Sequence, residues 1–163
     1  MVYADATALI GLARIDRLDL LTVLDRPIYV TRTVWDEVTR DPSKPGTEAL
    51  LRALVDGLLT VVDEGDGDAI PGLDAGESTL LTAAAAAGAD VVLDERTARA
   101  LLAGNELYRT AIPLATGVLG ILLRAKQEGR IASVRDLMDD LLHEGFRISN
   151  RVYREVLEQA GET

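Results

Sequence analysis

The chain has 163 residues, no cysteine, one histidine and a formal net charge of −10 at pH 7. We expect a single domain over residues 1–163, in which residues 133–163 form a C-terminal helical extension packed on the rest, because this length suits one core. The lack of cysteine excludes disulfides and thiolate metal sites. We find no apolar run of membrane-spanning length and no signal-peptide pattern, and therefore expect a cytoplasmic protein.

The single histidine limits the kinds of catalytic site that this chain can form. Nucleophilic triads need a histidine beside the nucleophile, and most catalytic zinc sites need several. His143 falls in the last turn of a predicted helix, where a partly positive group suits the helix dipole, so we interpret it as a surface residue. If the protein is an enzyme, carboxylates must carry its chemistry.

Along the chain, short apolar strands alternate with helices, which is typical of an α/β fold with a mostly parallel central sheet. Strands are predicted at residues 2–4, 28–30, 58–62, 90–93 and 111–114. Helices are predicted at residues 7–24 with a break near Ile15, and at 31–40, 47–56, 74–87, 95–103, 116–128, 134–144 and 149–160.

Two aspartates directly follow predicted strands. Asp5 comes after Val2-Tyr3-Ala4, and Asp94 comes after Val91-Val92-Leu93. Ligands of open parallel sheets bind outside the carboxyl ends of the strands, so both aspartates are expected at the same edge. Each one also precedes a helix, and N-capping of that helix is an alternative that the sequence leaves open.

Helical phase distinguishes Glu37 from its acidic neighbour. At about 100° per residue, Val34 and Val38 define the buried face of the helix over residues 31–40. Glu37 borders that face, mirrored by Trp35 on its other side, whereas Asp36 points nearly opposite, into solvent. Glu37 is therefore the second candidate for a buried acidic site.

Glu77 stands at the head of an apolar stripe instead of on a polar face. Together with Leu80, Leu81 and Ala84 it follows the i, i+3, i+4, i+7 spacing of a helix face. Asp74 and Glu77 also fit the spacing of a capping box, so helix capping is an alternative role for Glu77.

Several carboxylates in a partly desolvated place repel one another and raise one another's pKa. A divalent cation relieves this repulsion, and Mg²⁺ or Mn²⁺ prefers oxygen ligands. Such an ion can lower the pKa of a bound water and stabilise both the attacking and the leaving oxygen of a phosphodiester. We therefore predict a Mg²⁺- or Mn²⁺-dependent nuclease site built from Asp5, Glu37, Glu77 and Asp94.

The order and spacing of these residues resemble the PIN domain. The similarity is carried by four segments around the acids and by a glycine-containing helix: Asp5-Ala6-Thr7, Val34-Trp35-Asp36-Glu37-Val38, Leu73-Asp74-Ala75-Gly76-Glu77, Val91-Val92-Leu93-Asp94-Glu95-Arg96, and Thr116-Gly117-Val118-Leu119-Gly120-Ile121-Leu122-Leu123. The tail from Leu141 to Ser149 with its closing helix is also similar to one PIN subgroup. The resemblance covers nearly the whole chain.

This resemblance implies a three-layer α/β/α sandwich and a metal-dependent endoribonuclease of the VapC type, the toxin of a type II toxin–antitoxin pair. Such proteins are often paired with a small antitoxin and commonly form homodimers. Position by position, Asp5, Glu37, Glu77 and Asp94 match the acidic ligands of the family. Thr7 matches the hydroxyl residue that supports the first aspartate, and Thr116 is taken as a second supporting residue. The chain departs from many PIN domains in having Glu77 in place of aspartate, and in a longer, more polar stretch at residues 104–115.

Two other classes of function stay open. One is a PIN-fold binding module that has lost catalysis, although an inactive edge has no reason to tolerate four repelling acids. The other is a different Mg²⁺-dependent phosphoryl-transfer enzyme. Haloacid-dehalogenase phosphatases need Asp-x-Asp-x-Thr, but position 3 is Tyr3 instead of the first aspartate. The acidic pair and the later lysine of receiver domains are not evident.

Contacts with RNA and with partner chains are also predicted. Arg96 and Arg99 follow Asp94 on its helix and could bind phosphates, although exposed arginines on a helix are usually only solvated. Apolar residues of the helices after Thr116 exceed what the outer layer of a monomer requires, which predicts an interface with a second subunit or an antitoxin. These residues are Leu119, Leu122, Leu123, Leu137, Met138, Leu141 and Leu142.

Overall fold

The centre of the molecule is a sheet of parallel strands. A computed structural model describes residues 1–63, 69–93 and 96–163, apart from the side chains of Thr97 and Ala98. Within these residues the sheet has five strands in the order β3-β2-β1-β4-β5, all parallel. Their bounds are β1 Val2–Ala4, β2 Ile28–Thr31, β3 Leu59–Val62, β4 Asp90–Val92 and β5 Ala115–Thr116.

Helices cover both faces of this sheet. The α-helices of the described residues are α1 Ala6–Arg14, α2 Arg32–Val38, α3 Thr47–Val55, α4 Ala75–Ala87, α5 Arg96–Gly104, α6 Glu106–Ala111, α7 Val118–Gln127, α8 Val134–His143 and α9 Asn150–Ala160. A 3₁₀ segment, Leu18–Leu24, follows α1. Among these helices, none is long and apolar enough to cross a membrane.

Apart from shifts of one or two residues at their ends, the elements agree with the sequence predictions except in two places. The predicted break near Ile15 is confirmed, because Ile15 caps α1 and Asp16 adopts a φ of 55°. The strand predicted at residues 111–114 is wrong, since Ala111 ends α6 and the fifth strand is Ala115–Thr116. Helix α6 was missed, and the Asn105 side chain caps it by accepting hydrogen bonds from the next turn. The predicted helix start at Glu95 lies outside the described residues.

Alternation along the strands separates two apolar cores. In β1, Val2 and Ala4 belong to a core under α1, α7, α8 and α9, whereas Tyr3 points into a core under α4, α5 and α6. In β4, Val92 and Val91 divide in the same way. The predicted three-layer α/β/α sandwich is therefore confirmed.

Most of the apolar residues that were predicted to form an interface on α7 and α8 pack inside the chain instead. Leu122, Leu137, Met138 and Leu141 are all buried within the chain, in the core shared with α1 and α9. The prediction that these apolar residues lie at an interface with a second subunit or an antitoxin is wrong for these four. They are buried inside the chain, because helices α8 and α9 cover α7. Of the seven residues, Leu142 is the exposed one, at 39%.

The order of the strands creates a switch point beside β1. From β1 the chain moves outward through β2 and β3, then returns to the other side of β1 for β4 and β5. Loops leave in opposite directions where the order reverses, and a crevice forms at the carboxyl ends of these strands. Asp5 immediately follows β1 at this point.

Glu162 ties the end of α9 to the start of α8. Its side chain, 14% exposed, accepts hydrogen bonds from Ser133 Oγ (3.0 Å), Val134 N (2.7 Å) and Arg135 N (3.1 Å), and lies 3.3 Å from Lys126 Nζ. Burial alone would raise the pKa of Glu162, but these four partners together lower it from 4.5 to about 2. The ionised carboxylate therefore belongs to the folded state.

We expect Glu162→Gln to lower the melting temperature at pH 7 by about 5 °C, since hydrogen bonds to a charged group contribute about 1.5–3 kcal/mol. The depressed pKa means that this stabilisation is present above pH 4.5 and is lost as the pH falls toward 2. Melting curves between pH 7 and pH 3 should thus converge for the variant and the wild type. Exposed Glu158, in the last turn of α9, provides the control, and an equal effect of Glu158→Gln would contradict the interpretation.

Candidate metal centre

Asp5 is a buried carboxylate at the carboxyl end of the central strand. It is 3% exposed, and its backbone N–H donates to Val92 O at 3.0 Å, which continues the ladder between β1 and β4. Its Oδ1 accepts the N–H of Ala8 at 2.8 Å, so Asp5 is also the N-cap of α1. The capping alternative is therefore realised, and it fixes the carboxylate at the switch point.

Asp94 and Glu95 lie outside the described residues. The preceding residue, Leu93, donates its N–H to Thr116 O at 2.8 Å, just beyond the paired residues of β4 and β5. The assignment of Asp94 to the site rests on the sequence.

Glu37 lies on α2 and faces the start of α4. Its Oε2 is 2.8 Å from the position that a Cβ on Gly76 would occupy, and Asp74 Oδ1 is 3.5 Å from the same point. Burial raises the pKa of Glu37 above its usual value, the charge of Asp74 raises it further, and Arg40 lowers it by less. The two carboxylates thus lie close enough to repel each other, which is the condition that a bound cation would relieve.

The burial of the residues around Glu37 on α2 agrees only in part with the prediction from helical phase. Val34 and Val38 are buried as predicted, and Trp35 is buried with them at 6% exposure instead of bordering the face. Asp36 and Glu37 are both exposed as whole residues. Glu37 is set apart by the desolvation of its carboxylate against α4.

Glu77 and Asp74 form the capping box of α4. Glu77 N donates to Asp74 Oδ1 at 2.8 Å, and Asp74 N donates to Glu77 Oε2 at 2.9 Å. Glu77 is half-buried, and its side chain is turned back toward the first turn of its own helix. A carboxylate has about four acceptor sites, so capping and metal binding are compatible in one side chain.

Two threonines that sequence reasoning missed join α2 to α4. Thr31, fully buried at the end of β2, caps α2 by accepting the N–H of Val34. Its hydroxyl is 3.1 Å from that of Thr79, which in turn donates to Gly76 O at 2.9 Å. These bonds link the helix that carries Glu37 to the helix that carries Glu77. The available signal was a threonine directly after an apolar strand.

The predicted supporting and substrate-binding residues are spread around this edge. Thr7 is exposed on the first turn of α1, and Thr116 is half-buried in β5. Arg96 is exposed, and Arg99 Nη1 donates to Leu93 O at 2.9 Å. Arg99 therefore contacts the backbone at the end of β4. This structural contact differs from the phosphate-binding role predicted for Arg99.

The donors fit a hard divalent cation in kind, because all four predicted ligands are carboxylates. In the described parts of the chain, however, no three acidic or histidine side chains lie close enough together to hold a metal ion. The structure brings Glu37, Asp74 and Glu77 to the start of α4, and it places Asp5 at the end of β1. The four-carboxylate site therefore stays a prediction.

A cavity of about 230 Å³ lies largely toward the opposite ends of the strands. Its lining includes Arg26, Asp90 and Arg124, and Arg26 Nη1 donates to Asp90 Oδ2 at 2.6 Å. Val2 and Asp90 open β1 and β4, whereas the predicted ligands follow strand ends or lie on α2 and α4. Thr116, a predicted supporting residue, also lines the cavity, but none of the four predicted acids is among its lining residues, and we do not assign the metal site to it.

The sheet order and the helical layers define a three-layer α/β/α fold, and Asp5 lies at its switch point. The family model DUF3368, described as a PIN domain, matches residues 1–162, and the chain belongs to this family. PIN domains are typically nucleases that use divalent metals and act on nucleic acid. Comparisons with curated proteins and with solved structures give no match.

Proposed function

We propose that this protein is a divalent-metal-dependent endoribonuclease that hydrolyses RNA phosphodiester bonds. The observation that carries the proposal is the pairing of Glu37 with Asp74 at the start of α4, in a PIN-family chain. A carboxylate such as Glu37, whose pKa is raised by burial and by a neighbouring charge, is typical of functional sites. A purely structural contact would gain more from a neutral or basic partner.

In this proposal Asp5, Glu37, Glu77 and Asp94 hold Mg²⁺ or Mn²⁺. When bound, the ion would supply an activated water and charge stabilisation at the phosphate. The chain's own contribution is to fix the carboxylates: Asp5 through its capping bond to Ala8 N, and Glu77 through its bond from Asp74 N. Thr7 and Thr116 are proposed to support these acids, and Arg96 and Arg99 to contact phosphates.

The proposal extends to a biological role as the toxin of a type II toxin–antitoxin pair of the VapC type. It includes a small antitoxin as partner, a homodimer as the assembled state, and a cytoplasmic location where RNA is accessible. These parts follow from the resemblance to VapC-type proteins. Leu122, Leu137, Met138 and Leu141 are buried within the chain and therefore do not support the dimer.

The direct test is cleavage of a fluorescently labelled single-stranded RNA and a labelled hairpin RNA by the purified protein. We expect cleavage with Mn²⁺ or Mg²⁺ and none with EDTA, while a generic phosphomonoester such as p-nitrophenyl phosphate stays intact. Asp5→Asn protein purified in parallel controls for contaminating nuclease, since a contaminant would cut RNA in both preparations.

The outcomes separate the alternatives. Metal-independent RNA binding without cleavage would favour a binding module and contradict the proposal. Hydrolysis of the phosphomonoester without RNA cleavage would indicate a different phosphoryl-transfer enzyme. Wild-type and Asp5→Asn preparations with equal RNA cleavage would show that the activity is not that of this site.

A further inference from the structure

Gly76 occupies the second position of α4, in a place where a side chain would collide with Glu37. A Cβ on Gly76 would lie 2.8 Å from Glu37 Oε2, 3.4 Å from Val34 Cγ2 and 3.5 Å from Asp74 Oδ1. At a separation under 3.0 Å one of the two atoms must shift, whereas the other two separations are ordinary contacts. The space that Gly76 leaves is thus filled by the Glu37 carboxylate.

The backbone at this position does not itself require glycine. Gly76 has no positive φ, and it lies in a regular helix that continues into a run of alanines. Alanine is the best helix former and glycine among the worst, so local structure favours alanine at position 76. What glycine provides here is room.

We propose that Gly76 is a positioning residue for Glu37: its missing side chain lets the Glu37 carboxylate lie against the first turn of α4, next to Asp74. The inference rests on the proposed metal-dependent activity for its functional consequence. Its geometric part depends only on this chain. Thr79 of α4 contacts Thr31 at the end of β2, and Leu80 and Leu81 of α4 are buried in the core, so α4 cannot simply move away.

The test is Gly76→Ala. Because the obstructed atom is the far end of a flexible side chain, we expect Glu37 to rotate away and the fold to persist. A crystal structure of metal-free Gly76→Ala should show the Glu37 carboxylate displaced from α4. The melting temperature should be unchanged or higher, since alanine favours the helix. The dissociation constant for Mn²⁺ alone, measured by calorimetry, should rise about tenfold or more, which is the scale of losses when a group that orients a ligand is removed.

Rescue by a shorter acid makes the test specific to positioning. Glu37→Asp withdraws the carboxylate by one methylene, so Gly76→Ala should weaken Mn²⁺ binding less in Glu37→Asp protein than in wild type. Gly104→Ala is the matched control, because a Cβ there meets nothing within 4 Å. It should leave Mn²⁺ affinity unchanged.

The geometric and functional parts fail in different ways. An unmoved Glu37 carboxylate in Gly76→Ala overturns the inference, whatever the metal does. Displacement of Glu37 with unchanged Mn²⁺ affinity also overturns it, because positioning would then have no consequence. A wild-type protein that binds no Mn²⁺ and cuts no RNA overturns the proposed function and the functional part together, and the crystal structure then decides the geometric part alone.

Discussion

Asp5→Asn should reduce metal-dependent RNA cleavage by roughly 100-fold or more while the protein stays folded. Removal of a side chain that only orients a metal ligand already costs about 10- to 100-fold, and Asp5 is proposed as a ligand itself. The substitution is chosen because asparagine caps helices as well as aspartate does, so the bond from Ala8 N to Oδ1 of residue 5 can persist. Initial rates at saturating Mn²⁺, together with melting temperatures, measure both effects.

A matched pair on α2 provides the control. Asp36 and Glu37 are adjacent, both are exposed as residues, and each substitution by its amide removes one negative charge. Only Glu37 has its carboxylate against Gly76. Glu37→Gln should lose at least tenfold in rate, a scale typical of metal-site residues, and Asp36→Asn should stay within a few-fold of wild type. Equal losses would mean that overall charge, and not the site, governs activity.

The first four strands and the position of Asp5 were predictable because their signals are local. Apolar runs of β1, β2 and β4 are buried on both faces, so they read as continuous hydrophobic segments. Asp5 could be assigned to the carboxyl end of β1 because it follows that run directly. Both capping bonds, those of Asp5 and Asp74, also follow from residue type and spacing.

The contacts that organise the site were not predictable, because they join residues distant in sequence. Thr31 and Thr79 are separated by 48 positions, and nothing in either helix pattern indicates that their hydroxyls meet. The role of Gly76 is similar, since its significance appears only when Glu37 is placed beside it. Periodicity identifies the buried side of each helix, but it does not say which other helix covers that side.

The same reason explains the error about α7 and α8. Hydrophobic spacing showed that Met138 and Leu141 needed burial, and both are completely buried. The spacing could not distinguish a partner within the chain from a second chain. Helices α1, α7 and α9 supply that partner here, because all three pack against α8.

Binding of Mn²⁺ should raise the melting temperature of the wild-type protein by about 5–10 °C. An ion that binds only the native state stabilises it by RT ln(1 + [L]/Kd), about 2.7 kcal/mol at a hundredfold excess over Kd. For a chain of this size that stabilisation corresponds to the stated shift. Differential scanning fluorimetry with millimolar MnCl₂ against EDTA measures it without any knowledge of the RNA substrate.

Without a metal ion, the ionised carboxylates should lower the stability of the folded protein. Since burial and Asp74 raise the pKa of Glu37, ionisation of this residue disfavours the folded state above its ordinary pKa. At pH 7, Glu37→Gln should therefore raise the metal-free melting temperature and shrink the Mn²⁺-dependent shift. Asp94→Asn is expected to do the same, because our proposal places it among the ligands. Asp36→Asn is the control and should change neither quantity.

Salt separates a specific site from general screening. Exposed charges more than about 10 Å apart are largely screened at 0.1 M ionic strength, so NaCl should reduce nonspecific effects of Mn²⁺ on this acidic chain. The melting-temperature shift caused by binding at the site should persist in 0.5 M NaCl, because screening at this higher ionic strength acts mainly on the nonspecific effects. A wild-type melting temperature that ignores millimolar Mn²⁺, combined with Glu37→Gln and Asp94→Asn proteins no more stable than wild type, would falsify the convergent metal site. Asp5 and Asp74 would then be helix caps only, and a metal-dependent nuclease would lose its physical basis in this chain.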